Sequence, residues 1–121
     1  MGKTAENKKL VRRFLTEIFQ NKELDQWEDF VVEELIQHNH EIGEGSQAYK
    51  NYVREHDVTY DFVFQLLAQG NYAVSYGQVL MDGVPFAQYD IFRLENGKIV
   101  EHWDNKEVMP KVEDLTNRGK F

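Results

Sequence analysis

Three ionisable side chains in the C-terminal part of the chain have the types and spacing needed for proton transfer. His102 and Asp104 stand two residues apart, so they share one face of any strand that contains them. Asp90 lies before an Asn96-Gly97 turn and joins that face if the flanking segments pair as a hairpin. In an apolar pocket, desolvation raises the pKa of a carboxyl group and a neighbouring imidazole shifts it further, which suits general acid–base chemistry beside a carbonyl. Alternatively, Asp90 and His102 form a cross-strand pair at the surface.

A second polar cluster, His38-Asn39-His40 with Glu44, has the spacing of half a cupin metal motif, in which two His and a Glu bind a metal. Its surroundings differ from that motif, because helices precede and follow it and the framing glycines are missing. We therefore predict no metal site, with His38 in a pocket wall and His40 in a loop. A metal protein that uses His38, His40 and His102 is a separate hypothesis.

The elements that would position these residues begin with three helices. Apolar residues repeat at helical spacing over residues 7–19. Asp25 stands three residues before Glu28, which is the spacing of a capping box and predicts a short second helix. Ser46 is the predicted N-cap of a third helix that ends near His56. Residues 35–38 resemble a short strand between the second and third helices.

The second half of the chain alternates between apolar and polar residues, as strands do. Turn pairs at Gly70-Asn71, Asp82-Gly83 and Asn96-Gly97 separate the alternating runs. The predicted strands span residues 58–66, 72–81, 86–94 and 99–106, and a mostly polar tail occupies residues 110–121. Helices gathered before an antiparallel meander indicate a single α+β domain over residues 1–121.

The register of the last hairpin decides which side chains face inward. A type I turn with a bulge at Gly97 pairs Asp90 with His102, whereas a two-residue turn places Asp90 opposite Trp103. In the first register, one face carries Gln88, Asp90, Phe92, Val100, His102 and Asp104, and the other carries Tyr89, Ile91, Arg93, Ile99, Glu101 and Trp103. Because both faces carry apolar and charged side chains, we expect the first face to border a pocket under the helices. The second would be partly covered by a second subunit, with Tyr89 and Trp103 in the interface.

Aromatic residues are unusually frequent, at 13% of the chain. Packing in an ordinary core would account for most of them. A three-helix layer over a four-strand sheet leaves room for a cavity, however, and some of the rings would then line it. The predicted ligand-binding side chains are Trp27, Phe62, Phe64 and Phe92, with Tyr76 and Gln78 as polar groups.

Composition excludes several other classes of protein. The net charge of −7 and the absence of a dense basic run disfavour nucleic-acid binding. The absence of Cys excludes disulfides, thiolate metal sites and a thiol nucleophile. No apolar run is long enough to span a membrane, and the polar N-terminus does not resemble a signal peptide. We therefore expect a cytoplasmic protein without membrane or nucleic-acid partners.

Three sequence segments resemble those of a known family. Residues 35–39 read LIQHN, residues 90–93 read DIFR and residues 96–104 read NGKIVEHWD. With the order of predicted elements, they resemble the SnoaL-like proteins of the nuclear transport factor 2-like superfamily. The end of the chain, Asn117-Arg118-Gly119-Lys120-Phe121, is similar to the Asn-rich, Phe-terminated end of some members.

The resemblance implies an α+β cone, in which three N-terminal helices pack on a strongly bent antiparallel meander sheet around a deep apolar cavity. Members often dimerise through the outer sheet face. The characterised cyclases close a polyketide ring by aldol condensation without metal or organic cofactor, and their general acid/base Asp matches Asp104 by position. Their assisting His falls at or near Asp90, and Tyr76 stands where many relatives carry a His.

These observations predict a cofactor-free enzyme for a small apolar or carbonyl-containing molecule, with aldol-type cyclisation or isomerisation as the reaction. Asp104 would be the general acid/base, assisted by His102 and Asp90. The same superfamily contains ketosteroid isomerase, limonene-epoxide hydrolase and members without known activity. A non-catalytic binding module for a lipophilic ligand is therefore the alternative.

Overall fold

Three helical segments lie in the N-terminal half of the chain, as predicted. A computed structural model describes residues 2–121. Helix α1 (Gly2–Phe14) continues into a π-helical turn (Leu15–Gln20), a 3₁₀-helix spans Leu24–Asp29, and helix α2 spans Ser46–Glu55. A short 3₁₀-helix, Val112–Asp114, lies in the C-terminal tail. Within the described residues, no helix combines the length and the apolar character needed to cross a membrane.

Both predicted side-chain caps are wrong. Asp25 lies inside the 3₁₀-helix, and Glu23, which precedes that helix, makes no capping hydrogen bond. The residue before α2 is Gly45, with φ of 92°, and it also provides no side-chain cap. The Ser46 hydroxyl instead accepts a hydrogen bond of 2.8 Å from the indole Nε1 of Trp27. A buried indole N–H needs an acceptor, and this need outweighs the capping role of the serine.

Five strands form one mixed sheet. Strands β1 (Val31–Gln37), β2 (Thr59–Gln69), β3 (Tyr72–Met81), β4 (Val84–Glu95) and β5 (Lys98–Val108) lie in the order β1-β5-β4-β3-β2. The last four strands form the predicted antiparallel meander. β1 adds to it in parallel beside β5, so the sheet is mixed rather than purely antiparallel.

The β4–β5 hairpin has neither of the two registers considered from the sequence. Asn96 and Gly97 both have positive φ, at 50° and 76°, which corresponds to a two-residue hairpin turn. A bulge then shifts the pairing beyond Leu94, so that Phe92 pairs with His102 and Asp90 with Asp104. The bulge restores the face that the sequence predicted for these side chains, although the pairing of Asp90 with His102 is wrong.

The helices cover the inner face of the sheet, and the core between them is aromatic. The ring of Phe14 packs edge-on against Trp27 and Phe92, at centroid distances of 5.4 and 5.7 Å. Trp27 and Phe92 are completely buried in this core, so neither lines an open cavity. Ile99, predicted on the outer face, is also completely buried because the bulge that follows it turns its side chain inward.

Four residues predicted to line the cavity lie on the outer face of the sheet instead. Bulges interrupt β2 between Tyr60 and Phe62 and again before Gln65. Tyr60 points inward, but because of these bulges the second residue after it, Phe62, does not share its face. On β3, the buried positions are Ala73, Ser75 and Val79, which leaves the intervening side chains outside. The prediction is therefore wrong for Phe62, Phe64, Tyr76 and Gln78.

Candidate functional site

A buried Asp–His pair lies at the centre of the polar cluster. Asp90 on β4 and His102 on β5 are 3% and 0% exposed, and Asp90 Oδ1 lies 2.7 Å from His102 Nε2. The other carboxylate oxygen, Oδ2, accepts hydrogen bonds from the Tyr60 hydroxyl at 2.5 Å and from Gln88 Nε2 at 3.0 Å. Asp90 therefore has a partner at each oxygen, as a buried carboxylate requires.

The imidazole of His102 is held by residues from two other elements. Its Nδ1 lies 2.9 Å from Oε1 of Gln37, at the end of β1. The ring of Tyr49, on α2, stacks on it at a centroid distance of 4.5 Å, with the Tyr49 hydroxyl 3.3 Å from Nε2. Burial raises the pKa of Tyr49 and of Tyr60 well above the ordinary value of 10, so both hydroxyl groups keep their protons.

Asp104 is the more accessible of the two inward carboxylates, with 12% of its side chain exposed. Its Oδ2 lies 3.8 Å from His102 Nε2, and the side-chain amide of Asn39 donates to both carboxylate oxygens, at 2.9 and 3.0 Å. Burial raises the pKa of Asp104 above its ordinary value of 3.8, and the charge of Asp90 raises it further. His102, Asn39 and Lys106 offset part of this rise.

A small cavity lies beside the two carboxylates. Its volume is about 20 Å³, which is room for about one water molecule. Asp90, Asp104, Gln88 and Lys106 provide polar groups in its wall. The apolar part of the wall comes from Phe19, Ile42, Val53, Val58 and Met81. The deep cavity expected from the resemblance is thus largely filled by side chains.

A groove on the surface leads to the same carboxylate. It has a volume of about 340 Å³ and is bordered by His40, Glu41 and Phe86. Asn39, Asp104 and Lys106 border both this groove and the internal cavity. Asp104 and Lys106 are therefore the ionisable groups that a molecule in the groove would meet on its way inward, and Asp104 is the carboxylate among them.

Comparison with known protein families identifies the chain. A model of the SnoaL-like domain matches residues 11–102. The chain belongs to this family. No curated protein sequence matches it significantly.

Solved structures agree with the SnoaL-like assignment. An NTF2-like protein of unknown function from Cytophaga hutchinsonii has a TM-score of 0.76 and 20% identity, covering 84% of this chain and 89% of its own. An LEH-like epoxide hydrolase from M. tuberculosis has a TM-score of 0.72 and 18% identity, and the match covers 86% of this chain and 84% of the hydrolase. A candidate ketosteroid isomerase from Kribbella flavida has a TM-score of 0.76 and 17% identity, and the match covers 98% of this chain and 93% of that protein. Similarities at this level of identity establish the NTF2-like fold and leave the activity open.

The histidines considered as metal ligands lie apart in this SnoaL-like fold. His38 stacks on Trp103 at a centroid distance of 4.7 Å, and its Nε2 lies 2.7 Å from Glu101 on the outer side of the sheet. His38 therefore does not line the internal cavity, but it does border the surface groove that leads to Asp104. His40 borders the same groove and is exposed. Among the described residues, Asp90, His102 and Asp104 form the group whose ligand atoms lie close enough for a metal, within 4.8 Å of one another.

The sequence-based reasoning missed most of the partners of the three ionisable residues. Tyr60, Gln37 and Asn39 are contributed by other elements, far from residues 90–104 in sequence. One signal was present, because Gln37 and Asn39 flank His38 in the segment that resembles the family. The sequence predicted that His38 of this segment lies in the pocket wall. The contacts with the site are instead made by the amide side chains of Gln37 and Asn39.

Proposed function

We propose that this SnoaL-like protein is a cofactor-free enzyme that transfers protons beside a carbonyl group of a small molecule. The observation that supports this proposal best is the position of Asp104. It borders both the surface groove and the internal cavity, and its pKa is raised by burial and by Asp90. A carboxylate of raised pKa is a stronger base, which favours removal of a weakly acidic C–H proton.

The chemistry needs only side chains near Asp104. The carboxylate takes a proton from the carbon α to the carbonyl, and the electron pair of the C–H bond moves into an enolate. In this proposal, the enolate oxygen is stabilised by the ammonium group of Lys106, which borders the same cavity and pairs with Glu41 at 2.8 Å. In an isomerisation, Asp104 then returns the proton to another carbon of the enolate. In an aldol-type ring closure, the enolate carbon attacks a second carbonyl, and the alkoxide oxygen that forms takes the proton back from Asp104. The proposed role of Asp90 and His102 is to set the electrostatic field around Asp104.

Substitution of Asp104 tests this proposal. We expect Asp104→Asn to slow deuterium exchange at the α carbons of cyclohexanone and β-tetralone by about 100-fold or more, because an amide cannot accept the proton. The exchange is followed by NMR in D₂O. Asp114→Asn, in the exposed C-terminal tail, removes the same charge and should retain the wild-type rate. Equal exchange rates in wild type and Asp104→Asn would reject Asp104 as the base.

A second candidate is a non-catalytic binding module for a small lipophilic ligand. One feature favours it: the bonding of Asp90 is already satisfied inside the protein. Binding of β-tetralone without exchange above the rate in buffer would support this candidate over the enzyme.

We also propose a cytoplasmic location, supported by the acidic composition and the lack of Cys.

A further inference from the structure

We propose that Gln37 is a positioning residue that fixes the tautomer of His102, so that one proton is shared between His102 Nε2 and Asp90 Oδ1. This inference rests on the proposed function, in which the pair sets the field around Asp104. It assigns a role to a side chain that contacts neither the cavity nor the surface groove.

The orientation of the Gln37 amide follows from its backbone partners. The backbone N–H groups of His38 and Asn39 both lie 3.0 Å from one atom of this amide. A backbone N–H can only donate, so that atom must be the carbonyl oxygen, Oε1. The same Oε1 lies 2.9 Å from Nδ1 of His102. Since Oε1 can only accept, His102 Nδ1 must carry a proton and donate it.

The protonation of Nδ1 determines what can lie between His102 and Asp90. A neutral imidazole has one protonated nitrogen, so Nε2 would be bare, and it faces Asp90 Oδ1 at 2.7 Å. Two acceptors without a proton between them would repel at that distance. The pair must therefore hold a second proton, either as imidazolium with carboxylate or as imidazole with carboxylic acid. In both forms its net charge is zero.

The neutral pair affects Asp104, whose Oδ2 lies 3.8 Å from His102 Nε2. Without the acceptor at Gln37, the imidazole no longer needs a proton on Nδ1. A neutral imidazole protonated at Nε2 can then donate that proton to an ionised Asp90. The pair would then carry one negative charge beside Asp104, which would raise the pKa of Asp104 further. Gln37 thus keeps a negative charge away from the proposed base.

Other ionisable groups surround the pair and are unchanged in the Gln37 variants below. They are Tyr60 on β2, Tyr49 and Tyr52 on α2, Asp104 and Lys106 on β5, and His40 and Glu41 in the loop before α2. The amide nitrogen of Gln37 is buried without a hydrogen-bond partner. Replacing that nitrogen by oxygen removes no hydrogen bond, so Gln37→Glu adds a charge but keeps the acceptor oxygen that faces His102.

The test is the ¹⁵N signature of the His102 ring in uniformly labelled protein at neutral pH. Signals are assigned by elimination with His38→Asn, His40→Asn and His56→Asn. We expect a protonated Nδ1 in the wild type and in Gln37→Glu, whose carboxylate accepts the same hydrogen bond. In Gln37→Leu, we expect loss of the proton from Nδ1. A bare Nδ1 in the wild type would overturn the inference, as would an unchanged signature in Gln37→Leu.

A second readout is the pH profile of α-proton exchange. Gln37→Leu should shift the acidic limb of the profile to higher pH, because the added negative charge favours the protonated form of Asp104. If Gln37→Leu does not fold, the signatures of the wild type and of Gln37→Glu still decide the question. A wild-type protein without exchange activity but with a protonated Nδ1 would reject the proposed function and leave this inference standing.

Discussion

Asp90 and Asp104 lie directly opposite each other on adjacent strands, but their surroundings differ. Asp90 is bonded to His102, Tyr60 and Gln88, so a proton transfer to it would disrupt buried hydrogen bonds. Asp104 is bonded to the amide of Asn39 and borders the groove. Two carboxylates in unlike environments can take unlike roles. Asp104 is therefore the better candidate for chemistry, and Asp90 for electrostatic support.

The raised pKa of Asp104 predicts a cost in stability. The folded state holds the Asp104 proton more tightly than the unfolded state does, so ionisation destabilises the fold. This cost is fully present at a pH above the pKa of Asp104 in the folded state. It disappears as the pH falls below the pKa that Asp104 has in the unfolded chain. Asp104→Asn should therefore have a higher free energy of unfolding than the wild type at pH 7.

Thermal unfolding of wild type and Asp104→Asn at several pH values measures this difference. The gain should shrink as the pH falls toward the ordinary Asp value of 3.8. Asp114→Asn serves as the control, because that side chain is exposed in the tail. A gain that does not depend on pH would show that burial of the Asp104 charge does not cause it.

The sequence could predict that His102 and Asp104 share a face, because alternation along one strand is a local property. The face of Asp90, on the neighbouring strand, depended on the register of the hairpin. The sequence could not predict the bonds that determine their chemistry. Gln37 contacts His102 across 65 positions in sequence, and Tyr60 contacts Asp90 across 30. Such contacts depend on how β1 and β2 pack on the meander, which no local pattern specifies.

At the scale of the elements, the turns were predictable and the bulges were not. Asn96-Gly97 has the positive φ values that favour Asn and Gly, so its position in the hairpin follows from residue type. A bulge adds one residue to a strand without any comparable signature. The bulge in the β4–β5 hairpin restored the predicted face of Asp90, whereas the two bulges of β2 left Phe62 and Phe64 on the opposite face from the predicted one.

Gly77 marks the position where β2 bends over β3. It pairs with Val63 between the two bulges of β2, and a Cβ at this position would overlap the carbonyl oxygen of Phe62 and lie 3.0 Å from the Cα of Val63. Because backbone atoms cannot move aside, Gly77→Ala should lower the free energy of unfolding by about 3 kcal/mol. Denaturant unfolding measures this change.

Gly83→Ala is the matched control for Gly77→Ala. Gly83 has a φ of 79° and nothing within 4 Å of the added carbon, so only backbone strain of about 1–2 kcal/mol is expected. Equal losses in the two variants would indicate that close packing of β2 on β3 does not require a glycine at position 77.

At the scale of the whole molecule, the outer face of the sheet has more apolar surface than the C-terminal tail covers. Phe121 packs against Phe62, Phe64 and Tyr76, at centroid distances of 5.0, 5.6 and 5.1 Å. Elsewhere on the sheet, Tyr72 and Tyr89 remain about half exposed, at 47% and 48%. Exposed aromatic side chains on the face of a sheet are typical of an interaction site. The prediction of a homodimer through this face therefore stands as a proposal.

A single charge on the outer face tests the dimer. Tyr89 stacks on Tyr76 at 4.2 Å in the exposed part of that face, so a glutamate at position 89 would place a charge in the interface. We expect the wild type to sediment as a dimer at micromolar concentration and Tyr89→Glu to sediment as a monomer, because burying an unpaired charge opposes association. Val112→Glu adds the same charge at a side chain that is 82% exposed in the tail, and it should remain dimeric. A monomeric wild type would contradict the proposal, and a dimeric Tyr89→Glu would place the interface on another surface.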